Sequence, residues 1–275
     1  MGDNTDIQAE VLPMRFISLE TLDYYRSIES SMSTRPLYME FQPHLSTYTR
    51  ASLVRHLSEL QQRFHLAPET LGLAVGLLDR FLARKTVTKS KPVGVIGTID
   101  RNFLLVAVTC LFIASKLLDF RQEFRPHMRL VEYIRGLHPE SGFEMTERAI
   151  LIALDFRINI PTSHIFLRIF LDLAVCESDE CVARDAYFVL NCTLGRYHLL
   201  EYLPSEIACG SIIIARLVNG LSEWSDDLAA YTKYNKDEIL PVSRSILSTV
   251  SRGITMSDRM NSNIVPTLEC LYASL

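Results

Sequence analysis

Lys116 closes the run AVTCLFIASK, residues 107 to 116, and carries an ammonium that helix packing does not ask for. A cation at the end of an apolar helix is suited to charge-assisted hydrogen bonds with groups outside that helix. The other side chains capable of chemistry are scattered. Six cysteines, at 110, 176, 181, 192, 209 and 270, lie mostly in apolar helical patterns without a C-x-x-C pair, and are expected to be buried thiols. Seven histidines form no H-x-x-x-H and no His/Cys cluster, so no metal and no cofactor is expected. The chain has no G-x-x-x-x-G-K-[ST], G-x-S-x-G or H-E-x-x-H, and the Gly94 to Gly97 piece lacks a preceding strand. No enzymatic activity is expected of the chain alone.

Composition narrows the partner class. At 275 residues and 48% hydrophobic, the chain can bury one large core or two medium ones. A net charge of −4 and a pI near 6.0 provide no basic footprint for nucleic acid. From Phe103 to Ala114 only Thr109 is polar, a run well short of the roughly twenty residues that span a bilayer, and no charged-then-apolar signal opens the chain. A soluble protein of the nucleus or cytoplasm, without a membrane or nucleic-acid partner, is expected.

The elements that must position Lys116 are helical nearly throughout, because no long stretch alternates with period two. The segment 103–114 has no solvated face and reads as the central helix of a bundle. Before it come an amphipathic helix over about 18–30, a turn-rich connection with Pro36 and Pro43, and helices over about 46–65 and 68–84. The long loop 85–101, with Lys85, Lys89, Lys91 and Arg101, reads as solvated, or as an extra contact. Helices over about 126–137 and 143–156 follow. Pro161 then interrupts the pattern, and Thr162 or Ser163 can cap what comes next.

The second half repeats the scheme with helices near 163–175, 179–197, 204–220, 226–233 and 237–252. A shift of 101 residues lays Ala107, Cys110 and Ala114 over Ala208, Ser211 and Ala215, small residues that let neighbouring helices approach. Lys116 falls over Leu217, so the lysine serves something other than the shared fold. The expected organisation is all-α: an N-terminal helix and linker over 1–44, one five-helix bundle over 45–160, a second over 161–252, and a tail over 253–275.

Five stretches carry a family likeness: TRASLVRHL (49–57), ETLGLAVGLLDRFLARK (69–85), AVTCLFIASK (107–116), ERAILIALDF (147–156) and YLPSEIACGSI (202–212). Together and in this order they resemble the cyclin family, most closely the A- and B-type cell-cycle cyclins. The resemblance implies two tandem cyclin boxes and a non-catalytic subunit that binds and activates a cyclin-dependent kinase in a 1:1 heterodimer. It places Lys116 and Glu147 against kinase backbone, with apolar contacts from Ile113, Leu117, Leu151, Phe156, Ile158, Leu22 and Tyr25. On the residues alone, Lys116 equally extends its head into water and Glu147 favours the positive start of its own helix, while the apolar positions equally read as core.

The resemblance further implies a structural ion pair between Arg50 and Asp79. It also marks a departure: the groove that docks R-x-L motifs in A-type cyclins would here be lined by Thr49, Leu53 and His56, with Ser52 between them. Substrates or inhibitors are therefore expected to dock weakly, since large apolar anchors usually supply most of the binding energy. The R-x-x-L sequences at Arg50 and Arg63 lie inside expected helices. A two-repeat adaptor like transcription factor IIB or the retinoblastoma proteins is the alternative reading of the same architecture.

Overall fold

In a computed structural model, the described residues are 19–32, 36–88, 100–119, 126–137, 142–174, 180–253 and 264–273. Among them are helices and no strand. Helix α1 covers Leu19–Met32 and is followed by a 3-10 turn at Pro36–Phe41. The first bundle comprises α2 (Thr47–Arg63), α3 (Pro68–Leu82), α4 (Arg101–Leu118), α5 (Pro126–Leu137) and α6 (Gly142–Ala153). The second comprises α7 (Ser163–Ala174), α8 (Glu180–Thr193), a 3-10 turn at Tyr197–Glu201, α9 (Pro204–Val218), α10 (Asp226–Thr232) and α11 (Lys236–Gly253). A last helix, α12 (Val265–Ala273), follows.

Local chemistry explains the ends of these helices. Ser46 accepts from the Thr49 amide at 3.1 Å to start α2, and Asp100 accepts from the Asn102 amide at 2.9 Å to start α4. Pro68 opens α3, where its missing N–H costs nothing. Asp119, just past α4, reaches back to accept from the Ala67 amide and the Thr70 hydroxyl, so the end of α4 caps α3.

Every residue of α4 from Phe103 to Ser115 is buried. The helix packs against α2, α3, α5 and α6, and α9 holds the same position among α7, α8 and α11. By length and composition α4 is apolar enough to cross a membrane, yet 72% of it is buried inside this chain, as in the core helix of a bundle. The small residues Ala107, Cys110 and Ala114, and Ala208, Ser211 and Ala215, are all fully buried where neighbouring helices close in.

Four features differ from the sequence-based expectations. The spacing predicts a helix over 143–156, but α6 ends at Ala153 because Asp155 and Phe156 adopt φ of 53° and 57°. The predicted 179–197 helix stops at Thr193, where a turn through Leu194 and Gly195 leads into the 3-10 segment. Part of the expected tail is helix α12, held because Ile264, Val265 and Leu268 bury in the second bundle. Cys181 and Cys270 are exposed, whereas Cys110 and Cys209 are buried and burial pushes both thiols up. Cys176 and most of the 85–101 loop lie outside the described residues.

Helix α1 packs on the second bundle. Leu22 is buried with Phe166 and Phe170, Tyr25 meets Phe166 edge-on at 6.5 Å, and Asp23 pairs with Lys233 at 2.6 Å. Glu29 accepts from the Ser205 amide at 3.2 Å and its hydroxyl at 2.9 Å, placing a carboxylate on the first turn of α9. Burial is the largest influence on Glu29 and raises its pKa above the ordinary 4.5, against the lowering effect of the Ser205 hydrogen bonds.

The bundles meet through polar contacts as well. Arg50 bonds Asp79 through Nε and Nη2 at 2.8 and 2.7 Å, and its Nη1 donates to the Leu194 carbonyl at 2.9 Å. Gly72 of α3 lies under His164 of α7, where a Cβ would come 2.3 Å from Nδ1.

Two stability predictions follow from these buried carboxylates. Asp79→Ala leaves Arg50 buried without its counter-charge and is expected to cost about 3–5 kcal/mol in urea unfolding; a loss below about 1 kcal/mol would contradict the role given to the pair. The raised pKa of Glu29 makes its contribution fullest below the unfolded pKa and diminishes it as pH rises through the folded one. Wild type minus Glu29→Gln melting temperature should therefore be more positive at pH 4 than at pH 7, and an equal difference at both would refute this.

Candidate functional site

The last turn of α4 and the second turn of α6 bring Lys116 and Glu147 together, and Lys116 Nζ donates to Glu147 Oε1. The lysine side chain is 42% exposed and the glutamate 19%. Phe112, one turn before Lys116, lies beneath the ammonium with 4.4 Å from Nζ to the ring centroid. Phe112 is itself held edge-on by Phe143 at 5.0 Å. The two aromatics and the carboxylate thus fix where the ammonium sits.

A half-exposed pair of this kind adds at most about 1 kcal/mol to stability. Its chemical capacity is larger. An ammonium has three donors and a carboxylate about four acceptor positions, so each group can bond a partner's backbone while keeping its mate. Neither is consumed by the fold.

Exposed apolar side chains lie on the same two helices and just after them. Leu117 and Leu118 end α4, Met145 and Ile152 stand on the outer face of α6, and Phe156 follows at 67% exposed. The turn that presents Phe156 is unusual, since a bulky side chain at φ 57° directly after Asp155 at φ 53° is a costly arrangement for L-residues. Hydrogen bonds from the Phe156 amide to the Leu151 carbonyl and from the Ile158 amide to the Phe156 carbonyl hold it. Leu151 and Ile158 are half-buried against the first core.

Not every expected site residue reaches this surface. Ile113 and Leu22 are each 2% exposed, the first in the first-bundle core and the second beneath α1 against Phe166 and Phe170. Neither offers side-chain surface to a partner, and both are corrected to core. Tyr25 is half-buried on Phe166 of the second bundle. In the opposite sense, Leu118, Met145 and Ile152 were not singled out from the sequence. Met145 and Ile152 stand seven residues apart, off the stripe of Phe143, Ile150 and Ala153 that α6 buries, and that spacing could have revealed them.

The expected docking groove does not form from its three residues. Leu53 is fully buried in the core, which corrects its assignment to a surface. Thr49 shares a hydrogen bond with Ser46 at the α2 cap, and His56 Nε2 lies 2.8 Å from the Tyr133 hydroxyl. Burial lowers the His56 pKa despite nearby Glu59, favouring a neutral ring. Arg50 and Asp79 lie inside the fold, 1% and 2% exposed, and touch no surface. Among the described residues, no three His, Cys, Asp or Glu side chains gather as a metal site requires.

Comparison with known proteins bears on this architecture. Residues 20–159 match the family described as Cyclin, N-terminal domain, and residues 161–262 the one described as Cyclin, C-terminal domain. Similar curated proteins include G2/mitotic-specific cyclin-1 of Medicago sativa subsp. varia, 30% identical over 80% of this chain and 48% of its own length. G2/mitotic-specific cyclin-3 of Saccharomyces cerevisiae is 28% identical over 90% and 54%, and G2/mitotic-specific cyclin-B of Emericella nidulans 29% over 92% and 49%. The chain spans about half the length of these relatives.

Among solved structures, a viral cyclin from herpesvirus saimiri superposes with a TM-score of 0.69 at 17% identity, covering 86% of this chain and 99% of that one. A chain of the yeast RNA Pol II CTD kinase CTDK-1 complex gives 0.54 at 14% identity, covering 75% and 66%. At such identities these two establish the fold alone. Both bundles are matched in order, each by its own half of one family, and with the sequence relatives this makes the chain a member of the cyclin family.

Proposed function

We propose that this chain is the regulatory subunit of a 1:1 heterodimer with a cyclin-dependent protein kinase, which it activates to drive cell-cycle progression. The observation that carries the reading is the half-exposed Lys116–Glu147 pair at the α4–α6 end of the first bundle, with exposed Leu117 next to Lys116 in the chain and exposed Phe156 just after α6. The repeat-equivalent position in the second bundle is Leu217, so an adaptor built on the shared fold alone would have no use for the lysine. The G2/mitotic names of the sequence relatives support the cell-cycle assignment.

In this reading the exposed apolar residues cover the kinase's regulatory C helix. Lys116 donates to kinase carbonyls and Glu147 accepts from kinase amides beside it. The surface fits the helix-in kinase better than the helix-out kinase, so binding shifts the population toward the state whose Lys–Glu pair is aligned with ATP and magnesium. The chain supplies no catalytic group of its own and acts in the nucleus or cytoplasm, where its kinase is. Recruitment of R-x-L substrates or inhibitors through Thr49 and His56 is weak, because Leu53 serves the core.

The test is histone-type kinase activity with cyclin-dependent kinases of the same organism. Truncating one partner of a shielded charged contact costs about 2–5 kcal/mol, so Lys116→Ala and Glu147→Ala should each raise the concentration for half-activation by about 30-fold or more. Melting temperatures of the free variants should stay within about 3 °C of wild type, as expected for a half-exposed pair. Activation by both variants at wild-type concentrations would overturn the assignment of the joint.

A further inference from the structure

A cavity of about 120 Å³ lies between the bundles, walled by α3, the 160–164 connection, the end of α8 and the start of α9, with Met32 of α1 also on its wall. Its charged lining is three arginines and one aspartate: Arg50, Arg80, Arg196 and Asp79. Asp79 is spent, since it holds Arg50 through both oxygens and accepts from the Tyr38 hydroxyl at 2.6 Å. His164 contributes no charge, because burial pushes its pKa down and its Nε2 is engaged by Asn191 at 2.9 Å. Two positive charges remain.

Arg80 is the more telling of the two. It is 4% exposed, yet no carboxylate of the described residues pairs with it. Its Nη1 donates to the Arg157 carbonyl at 2.6 Å, and its Nη2 finds only the Met32 thioether at 3.7 Å. Asp155 acts on it at longer range, and nearby Arg84 and Arg157 add like charge. Buried charges are normally paired, because leaving water without a counter-charge is costly. Arg196 stands on the same cavity, and its guanidinium makes no hydrogen bond or ion pair within the described residues. The first turn of α7, with its positive end at Ser163, completes the wall.

We propose that this cavity binds a small tetrahedral oxyanion of the phosphate type, held by the Arg80 and Arg196 guanidiniums across the seam between the two bundles. The size fits such an ion, being several times the roughly 10–15 Å³ that one water requires by this measure and well under the roughly 300–1,000 Å³ of a drug-sized site. Guanidinium forks match phosphate geometry, and the ion supplies the directly paired counter-charge that no carboxylate of the described residues gives Arg80. Because Arg80 comes from the first bundle and Arg196 from the second, the bound anion ties one to the other. This site is separate from the Lys116 surface and stands or falls independently of kinase binding.

The experiment is thermal unfolding of the whole chain titrated with inorganic phosphate, against chloride at equal ionic strength. A saturable rise of about 3–5 °C is expected at ten times the dissociation constant. Arg196→Gln, a change at a half-exposed position, should keep the wild-type melting temperature in chloride and lose most of the phosphate response. Arg80→Lys, which keeps the charge but not the fork, should weaken the response by about tenfold in concentration. A wild type without a saturable rise, or an Arg196→Gln variant that responds like wild type, would overturn the site. O-phosphoserine in a parallel titration distinguishes the sources of the group: an equal response means that the mouth admits a phosphate ester, and a response to inorganic phosphate alone means a free ion.

Discussion

Arg50 and Asp79 form a bridge with almost no contact with water, and every arm of it reaches a different part of the molecule. The guanidinium leaves α2, the carboxylate leaves α3, Tyr38 adds a hydroxyl from the turn after α1, and the remaining arginine nitrogen crosses to the Leu194 carbonyl at the end of α8. Next to it, the Tyr197 hydroxyl accepts from the Met39 amide while its ring meets Tyr38 edge-on at 5.1 Å. A buried ion pair is a poor source of net stability compared with apolar packing of equal volume. What it imposes is geometry. Each partner must find the others to avoid a buried bare charge, so the mutual placement of α2, α3 and the second bundle is specified where apolar contacts alone would tolerate sliding.

That constraint explains how two copies of one helical scheme acquire different duties. Both central helices bury small residues at equivalent positions and pack the same way. The first copy is left with its α4–α6 end uncovered, and there the fold retains a lysine, a glutamate and exposed apolar side chains. The second copy is covered on another face by α1, through Leu22, Tyr25 and the Glu29 carboxylate at the start of α9. The asymmetry lies in what each bundle leaves open, with little change in the core.

Much of this was legible in the sequence because it rests on period and on helix punctuation. Central helices announce themselves by lacking a polar face, Pro68, Pro126 and Pro204 mark helix starts, and the 101-residue shift exposes the repeat. Where the chain turns is harder to read. Nothing in Leu154, Asp155 and Phe156 forbids another helical turn, and the two positive-φ residues there are visible only in three dimensions. Which partner an amphipathic face chooses is equally silent: Leu22 and Tyr25 read as a stripe, but the stripe does not say that it lies on α7. Leu53 shows the same limit, since a leucine on a helix is core or surface according to what the other helices leave uncovered. The Arg80 environment has no sequence signature at all, because it is only in three dimensions that no carboxylate of the described residues pairs with it.

The central functional claim is that the kinase meets the α4–α6 end of the first bundle. Amide hydrogen exchange of the whole chain, alone and with a saturating cyclin-dependent kinase that it activates, examines this directly without altering a residue. Slowed exchange across 144–158, with α10 and α11 unchanged, is the expected pattern. Protection confined to the second bundle, with the turn at Asp155 and Phe156 exchanging as fast as in the free chain, would contradict it.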